Sequence, residues 1–329
     1  MRAAFYESIG SAREVLQVGE LPTPAVGAGE VRVRLHAAAV NPVDGYLRAG
    51  LLGPMPFPRV VPGFDGAGVV DAAGEGTTLQ PGERVWVYNG QWQRAHGTAA
   101  DYVSLPEQQV VPLPASMSFA EGATLGVAAC TAQIAISIDG PVEGQTVLVA
   151  GGAGATSIFA IQLARLYGAK VIATVSSEQK AEVALAAGAH FVVDYRAEPD
   201  VAAAITRLTE GRGVDRIIEV ALGANFLLDA AVLAPGGIIT AYASPGAFTP
   251  PFPLLPLMWK QGRVRVTGGF APTDADLAAI RSALAAGKLR PRIWKRYPLE
   301  EIVRAHEDQD ANRPIGKIVL DIREEGVQR

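Results

Sequence analysis

Two glycines stand where a strand-like run gives way to a helix-like one, in the segment VLVAGGAGATSIFAIQLAR (Val147 to Arg165). Gly152 and Gly154 allow a tight turn, and their missing side chains let a pyrophosphate approach the backbone closely. The free N–H groups and the dipole at the start of the following helix attract such an anion. The segment therefore predicts a dinucleotide site. The residues expected around the phosphates are Gly152, Ala153, Gly154, Ala155 and Thr156.

The third small position of the G-x-G-x-x-G fingerprint is Ser157 rather than glycine. Serine is small enough for a helix to pack closely on a strand, but the change makes the motif less specific. The alternative is a purely structural turn, because any parallel α/β protein uses glycines after its first strand. The place of this turn at the head of a series of alternating strands and helices favours the nucleotide site.

The second strand of that series, VIATV, ends at Ser176 and Ser177. Enzymes that use NAD usually carry Asp or Glu here for the ribose 2′-hydroxyl, whereas small hydroxyls leave room for a 2′-phosphate. Lys180 lies in the first turn of the helix that follows, where the helix dipole disfavours a positive charge. This position indicates that the lysine binds an anion; the alternative is a solvated surface lysine. Glu178 competes with this interpretation, although a carboxylate there also stabilises the helix. The balance predicts NADPH.

From about Val127, apolar runs rich in β-branched residues alternate strictly with helix-compatible stretches. This alternation indicates βαβ crossovers and an α/β fold, with a doubly wound parallel sheet covered by helices on both faces. The strand-like runs are TVLVA, KVIATV, HFVVDY, VDRIIEV and GGIITAYA, followed by VRVTGGF. The candidate helix C-caps are Gly168, Gly188, Gly211 and Gly236.

The chain before about Leu125 has short strand-like runs between turn residues, which predicts a compact, largely β domain. After Phe270 the alternation ends, and we expect the remaining tail to fold back onto that first domain. The expected division is residues 1–126 with 273–329 for the β domain and residues 127–272 for the α/β domain.

Composition excludes several classes of protein. The net charge of -4 and the pI near 5.7 give no basis for nucleic-acid or anionic-membrane binding. Cys130 is the one cysteine, and the four histidines share no metal-ligand spacing. The N-terminus lacks the apolar region of a signal peptide, and prolines or glycines interrupt both long uncharged runs. We therefore expect a cytoplasmic protein.

Stretches along essentially the whole chain carry a family resemblance. They include NPVDGYLRAG (Asn41 to Gly50), VPGFDGAGVV (Val61 to Val70), LGVAACTAQIA (Leu125 to Ala135) and the closing RPIGKIVL. With the glycine turn and GAKVIATVSSEQK, they resemble the zinc-independent, zeta-crystallin-like quinone oxidoreductases of the medium-chain dehydrogenase/reductase superfamily. The resemblance implies a Rossmann-type domain, a discontinuous GroES-like catalytic domain and a homodimer. The turn departs from the family's Gly-Gly-x-Gly pattern, because Gly154 is followed by Ala-Thr-Ser.

The zinc-dependent alcohol dehydrogenases of that superfamily need a cysteine and a Gly-His-Glu segment as ligands of the catalytic metal. The equivalent positions here are Asn41 and the segment Gly63-Phe64-Asp65. Phenylalanine cannot bind a metal, and the four cysteines of the structural zinc lobe are absent. We therefore expect chemistry without a metal.

The resemblance also suggests residues for the reaction itself. Asn41 and Tyr46 are candidates for stabilising oxyanion charge on the substrate, with a turn role and a packing role as their alternatives. Asn41 and Thr131 also belong to the expected cofactor-binding residues. Thr131 resembles the family's hydroxyl on the nicotinamide side, or else caps a helix.

Further positions complete the expected site. Tyr195 and Arg313 match the family's positions around the 2′-phosphate, with plain surface roles as the alternative. Ala243 and Phe270 belong to the same expected set of cofactor-binding residues. Phe64, Phe248 and Phe252 are candidates for a flat aromatic pocket, although core packing is the default for them. Cys130 fits a small buried hydrophobe better than a nucleophile.

These features predict an NADPH-dependent oxidoreductase that transfers hydride to a quinone. A quinone accepts hydride without a metal because its ring is already electrophilic, so the protein has to orient the reactants and stabilise charge. The first alternative is reduction of α,β-unsaturated ketones or aldehydes by the same chemistry. The second is a non-catalytic NADPH-binding sensor or scaffold, suggested by the altered turn.

Overall fold

The computed structural model describes residues 1–323. The described chain forms two units, one of residues 1–127 with the segment from Pro291 onward, and one of residues 128–290. The return to the first unit lies at Pro291 rather than at the expected residue 273. The helix between these two positions, Asp274–Ala285, belongs to the second unit, where Leu277 and Ile280 are buried. Arg290, just after it, forms two 2.9 Å hydrogen bonds with Gln162 of the same unit.

The elements have the following bounds. The strands are β1 (Arg2–Phe5), β2 (Gln17–Glu20), β3 (Glu30–Val40), β4 (Asp65–Ala73), β5 (Arg84–Val87), β6 (Tyr102–Pro106), β7 (Val110–Pro112), β8 (Thr146–Val149), β9 (Lys170–Val175), β10 (Phe191–Asp194), β11 (Val214–Glu219), β12 (Leu233–Ala241), β13 (Arg263–Val266), β14 (Ile293–Pro298) and β15 (Lys317–Asp321). The helices are α1 (Ala12–Val15), α2 (Pro42–Arg48), α3 (Phe119–Gly122), α4 (Gly126–Ser137), α5 (Ala155–Leu166), α6 (Glu178–Ala187), α7 (Val201–Leu208), α8 (Leu222–Val232), α9 (Leu254–Lys260), α10 (Asp274–Ala285) and α11 (Ile302–Asp310). Short 3-10 helices cover Glu107–Gln109 and Leu299–Glu301.

The second unit contains a six-stranded parallel sheet in the order β10-β9-β8-β11-β12-β13. The order reverses between β8 and β11, which is the topology of a Rossmann-type dinucleotide-binding fold. The central strands are buried on both faces, as the continuous apolar runs predicted. The prediction of a doubly wound parallel sheet is therefore confirmed. One detail is wrong: Gly236 lies inside β12 and closes no helix, because α8 already ends at Val232.

The first unit is built around a mixed, mainly antiparallel sheet in the order β14-β15-β3-β4-β5-β7, with β6 also paired to β3. The long strand β3 alternates buried and half-buried residues over its first part, and its buried face packs into the core of the unit. Strand β15 comes from the end of the described chain and inserts beside β3, so the largely β domain is discontinuous. This is the GroES-like architecture that the resemblance implied.

Each unit has its own apolar core. The first includes Val31, Val33 and Leu35 of β3 with Ile318 and Leu320 of β15. The second joins strand residues such as Ile217 to helix residues such as Phe226. Within residues 1–323, no helix combines the length and the apolar character needed to cross a bilayer.

Candidate functional site

The glycine turn after β8 is held by contacts to β9. Gly151 has a φ of 62°, a left-handed conformation that strongly favours glycine, and its N–H faces Thr174 Oγ1 at 3.3 Å. Gly152 donates its N–H to the carbonyl oxygen of Thr174 at 2.8 Å. The residue with the special backbone conformation is thus Gly151, which the sequence reasoning did not single out. The glycines that follow it, Gly152 and Gly154, masked this role.

Helix α5 begins directly after this turn, with Gly154 as its N-cap. Its first intrahelical hydrogen bond runs from Ile158 N to Gly154 O at 2.9 Å, so the amides of Ala155, Thr156 and Ser157 come before the helical ladder. A Cβ added at Gly154 would meet Gly151 O at 3.4 Å and Ser157 Oγ at 3.8 Å, which are ordinary contacts. Neither the backbone conformation nor internal packing requires a glycine at position 154. A ligand lying close to the helix start does explain it.

Ser157, the departure from the fingerprint, is accommodated by hydrogen bonds. The residue is 1% exposed, and its Oγ donates to the carbonyl oxygen of Ala150 at 2.9 Å. The Tyr242 hydroxyl lies 3.2 Å from the same Oγ. The serine therefore ties the start of α5 to the ends of β8 and β12, and it leaves the amide end of the helix open.

The end of β9 brings the predicted Ser176, Ser177 and Lys180 together. Ser177 is the N-cap of α6, and its hydroxyl faces Lys180 N at 3.4 Å. Lys180 donates from Nζ to Ser176 Oγ at 2.9 Å, which places a cation at the carboxyl end of the strand. Tyr195 is next to this group through its backbone, because its N–H donates to Val175 O at 3.0 Å, and its side chain is about half exposed (49%).

The other predicted cofactor residues are distributed as follows. Thr131 is 3% exposed and lies well inside α4, so the helix-cap alternative is wrong. Ala243 accepts a 3.2 Å hydrogen bond from Leu222 N at the start of α8. Phe270 is half-buried in the segment after β13. Arg313 belongs to the other unit, where its guanidinium forms an ion pair with Asp308.

A buried polar cluster in the first unit surrounds Asn41. Asn41 is 1% exposed, and its Nδ2 donates to Asp65 Oδ2 at 3.0 Å while its Oδ1 accepts from Lys317 Nζ. Lys317 Nζ also lies 3.2 Å from Asp65 Oδ2. Val127 N donates to the second carboxylate oxygen, Asp65 Oδ1, at 2.7 Å. Lys317 was missed by the sequence reasoning, because only the pairing of β15 with β3 brings it to Asn41.

Asn41 also caps the helix that carries Tyr46. The Asn41 N–H donates to Asp44 Oδ2 at 2.7 Å and Pro42 takes the first helical position, so the turn alternative and the site hypothesis are both compatible with this geometry. Burial, together with the nearby Asp65 carboxylate, raises the pKa of Asp44 to about 7 against the opposing effects of the Asn41 N–H and of Lys317. Tyr46 is half-buried, and burial followed by the charge of Asp310 raises its pKa.

The positions equivalent to zinc ligands do not fit a zinc ion. Asn41 and Asp65 are bonded to the ammonium of Lys317, so a cation would meet a like charge, and Phe64 has no donor atom. Within the described part of the chain, no three His, Cys, Asp or Glu side chains are grouped to hold a metal.

The three phenylalanines that were candidates for an aromatic pocket differ in their exposure. Phe64 is 0% exposed and packs in the core of the first unit, whereas Phe248 and Phe252 are more than half exposed in the second unit. The Phe252 ring meets that of Phe226 edge-on, with centroids 5.5 Å apart. Cys130 is fully buried, as expected for a small hydrophobe.

The last residue of β11 and a residue of α8 form a pair of buried carboxyl groups, and the sequence reasoning missed this pairing. Glu219 and Asp229 are 0% and 1% exposed, and their side chains hydrogen-bond to each other. Glu219 Oε1 also accepts from Asn225 Nδ2 at 3.1 Å and from Ala221 N. Burial raises the pKa of both carboxyl groups, and the negative charge of Glu219 raises that of Asp229 further, so the pair holds a shared proton at neutral pH. The sequence signal that could have revealed this pair is Asp229, a charged residue within the apolar run NFLLDAAVLA.

Two family models match the chain. The alcohol dehydrogenase GroES-like domain matches residues 27–115, and the zinc-binding dehydrogenase model matches residues 187–320. The quinone oxidoreductase of Sus scrofa is 32% identical over 317 residues, which cover 93% of this chain and 94% of the relative.

Two solved structures illustrate the similarity of fold. A crystal structure of an NAD-dependent alcohol dehydrogenase has a TM-score of 0.92 and 33% identity, covering 98% of this chain and 100% of its own. Quinone oxidoreductase from Escherichia coli, crystallised in complex with NADPH, has a TM-score of 0.86 and 25% identity, covering 98% of this chain and 100% of its own. With its Rossmann-type and GroES-like units and a curated relative above 30% identity over nearly its whole length, this chain belongs to the quinone oxidoreductase family of the medium-chain dehydrogenase/reductase superfamily.

Proposed function

We propose that this protein is an NADPH-dependent reductase of quinones that works without a metal. The observation that carries the proposal is the pairing of an open helix start at Gly154 with the cation of Lys180 at the end of the next strand. The first suits a pyrophosphate, and the second suits a 2′-phosphate. The E. coli quinone oxidoreductase, which was crystallised with NADPH, supports this choice.

The bound cofactor supplies a hydride from its nicotinamide ring. The protein's own residues have three tasks toward the cofactor in this proposal. Gly151, Gly154 and the α5 amides hold the phosphates, while Ser176, Lys180 and Tyr195 bind at the adenosine ribose. Thr131, Ala243 and Phe270 are proposed to position the nicotinamide half. Arg313 is proposed as a further ligand of the 2′-phosphate, because its ion pair with Asp308 uses only one of its guanidinium nitrogens.

Asn41 and Tyr46 are proposed to stabilise the oxygen of the acceptor as it gains negative charge. A quinone or an enone accepts hydride at carbon or oxygen and leaves that charge on a carbonyl oxygen, which N–H and O–H donors can stabilise. Tyr46 keeps its proton far above neutral pH because burial raises its pKa, so it stays a donor. The Lys317 ammonium supports a reaction without a metal, because it contacts Asn41 and Asp65, the residues at the positions of the zinc ligands.

NADH is the second candidate cofactor, because the NAD-dependent alcohol dehydrogenase is the more similar of the two solved structures. A turnover screen with NADPH and NADH against ortho-quinones, para-quinones and enones tests both proposals. Loss of NADPH absorbance that depends on a quinone, with quinol as the product, supports the main one. Saturated ketones as the only product would instead support an enone reductase, and tight cofactor binding without turnover on any acceptor would support a sensor.

We also propose that the protein is a cytoplasmic homodimer. Strand β13 is an edge strand of the second unit's sheet, and its Val266 is 80% exposed. The preceding helix α9 exposes Trp259 (76%) and Met258 (54%). An exposed edge strand beside large apolar side chains suits pairing with the same strand of a second copy. The lone, buried cysteine agrees with a reducing compartment.

A further inference from the structure

One polar cluster lies where strand β3 ends and where strands β4 and β15 begin. Val40 pairs with Ile318, and Ala39 pairs with Asp65, so β15, β3 and β4 lie side by side there. Lys317 begins β15, and its side chain is 5% exposed, while that of Asp65 is 0% exposed. A lysine and an aspartate this deeply buried need each other, because removing one partner leaves the other charge uncompensated.

Gly316 lets Lys317 reach this position. Its φ is 109°, and a Cβ there would lie 2.4 Å from the carbonyl oxygen of Arg292, so the chain comes too close for any side chain. Lys317 N donates to that same carbonyl at 2.8 Å, which fixes the start of β15. The backbone thus directs the lysine toward the cluster.

The contacts fix which end of the Asn41 amide faces which neighbour. Its Oδ1 accepts from the Lys317 ammonium, and its Nδ2 donates to the Asp65 carboxylate. If the amide turned over, its NH2 group would face the ammonium and its oxygen would face the carboxylate, so both contacts would become repulsive. An amide nitrogen has two N–H bonds, and the bond to Asp65 uses one of them. The second N–H of Asn41 Nδ2 is therefore the donor that can bind an acceptor.

We infer that Lys317 is a positioning residue for the reduction proposed above, holding the Asn41 amide so that Nδ2–H, and not Oδ1, is offered to the oxygen of the acceptor. The inference rests on the proposed function. In this inference the Lys317 ammonium organises the site, as the metal ion does in the zinc-dependent relatives. Asn41 is 1% exposed, so its amide lies in surroundings of low polarity, where a donor stabilises an oxyanion more strongly than in water.

The test is the double variant Lys317→Met with Asp65→Asn. It removes both buried charges together, so no unpaired charge remains, and the new amide oxygen still accepts from Val127 N. The NH2 group of the new amide then faces Asn41 and favours the turned-over amide, which offers its oxygen. The matched control is Arg296→Met with Asp321→Asn, which removes a 2.7 Å ion pair between β14 and β15.

The expected result is a kcat about 100-fold lower for the Lys317/Asp65 double variant, which is the scale of losing one oxyanion donor. The Kd for NADPH and the thermal midpoint should stay close to those of the control. The loss should also grow as the quinone becomes a weaker oxidant, because a less electrophilic acceptor depends more on charge stabilisation. A merely structural role would lower the rates on all quinones by the same factor.

Two outcomes overturn the inference. The first is a double variant that keeps its kcat on every quinone while the wild-type protein turns them over. The second is a loss of kcat that is equal for all quinones and is matched by a lower thermal midpoint. A wild-type protein that reduces no quinone would refute the proposed function itself, and the inference with it.

Discussion

The ammonium of Lys180 donates a hydrogen bond to Ser176 Oγ at 2.9 Å, across one turn from the end of β9 to the start of α6. The two residues place a positive charge and a small hydroxyl where a dinucleotide-binding fold receives the adenosine ribose. Glu178, in the same turn, is exposed at the first position of α6, where a carboxylate complements the helix dipole.

Replacing Lys180 with alanine is expected to weaken NADPH binding and to leave NADH binding nearly unchanged. A hydrogen bond to a charged group contributes about 1.5–3 kcal/mol, which corresponds to a roughly 10- to 100-fold higher Kd for NADPH. Titration calorimetry with both cofactors measures the ratio. Lys288→Ala, at an exposed lysine, is the matched control. An unchanged NADPH-to-NADH ratio in Lys180→Ala would exclude the proposed contact.

Valine substitutions at two neighbouring glycines should have opposite effects. Gly154→Val is expected to fold with a nearly unchanged thermal midpoint, because a Cβ there meets its own chain at 3.4 Å or more and the φ of -74° suits any residue. It should lose NADPH binding, since the new side chain occupies the place of the phosphates.

Gly152→Val should instead lower the thermal midpoint. A Cβ there would meet Ala173 Cβ at 2.8 Å and Ala184 Cβ at 3.1 Å, which overpacks the contact between the turn, β9 and α6. Thermal unfolding and cofactor titration of both variants separate the two cases. If Gly154→Val bound NADPH as well as the wild-type protein, the phosphates could not lie at the start of α5.

The stability of the protein should depend on the protonation of Asp44. Its pKa is about 7 in the folded state and 3.8 in the unfolded reference, so the folded state holds a proton that the unfolded state loses between these values. The stabilising contribution of Asp44 to the free energy of unfolding is therefore largest below pH 4. It decreases as the pH rises toward 7 and is constant above that. The total effect is at most about 4 kcal/mol.

The variant Asp44→Asn removes this titration and keeps an acceptor for Asn41 N–H. Its stability relative to the wild-type protein should therefore increase from pH 4 to pH 7 and stay constant above that. Urea unfolding at intervals between pH 4 and pH 9 provides the measurement, with Glu182→Gln as a control at an exposed helix position. A stability difference that does not change with pH would contradict the raised pKa.

Val266→Lys is expected to convert the proposed homodimer into a monomer. The charge lies on the edge strand β13, where strand pairing between two copies would bring two lysines together. Light scattering coupled to size exclusion measures the mass of the particle. Leu185→Lys changes a half-exposed leucine on α6 and should not alter the mass. A wild-type protein that is monomeric at high concentration would refute the dimer directly.

The alternation of strands and helices was readable from the sequence because the strands of the second unit are short, continuous apolar runs that helix-compatible stretches separate. The ends of β9 and α6 were predicted closely, since Ser177 has the side chain of an N-cap and Gly188 has the left-handed φ of a C-cap. The role of Gly151 was not readable. Three glycines lie within the turn region, and only the path of the chain decides which one takes the left-handed conformation.

Long-range polar clusters were the larger omission. Lys317 lies 276 residues from Asn41, and no local pattern connects them until β15 pairs with β3. The Ser157 hydrogen bond to Ala150 was equally hidden, because the fingerprint treats that position only as a question of size. The sequence thus predicts elements and turns well, whereas partners that meet across a sheet depend on register.

The discontinuity of the first unit has a consequence for folding during synthesis. Strands β3 and β4 emerge early, but their neighbour β15 is made only after the whole second unit. At translation rates of about 5–20 residues per second, this leaves β3 without one edge partner and Asp65 without its lysine for roughly 10 seconds or more. The second unit, whose strands are contiguous in the chain, is free to fold in that interval. Closure of the first sheet by β15 is then the last step, and it is the step that completes the cluster around Asn41.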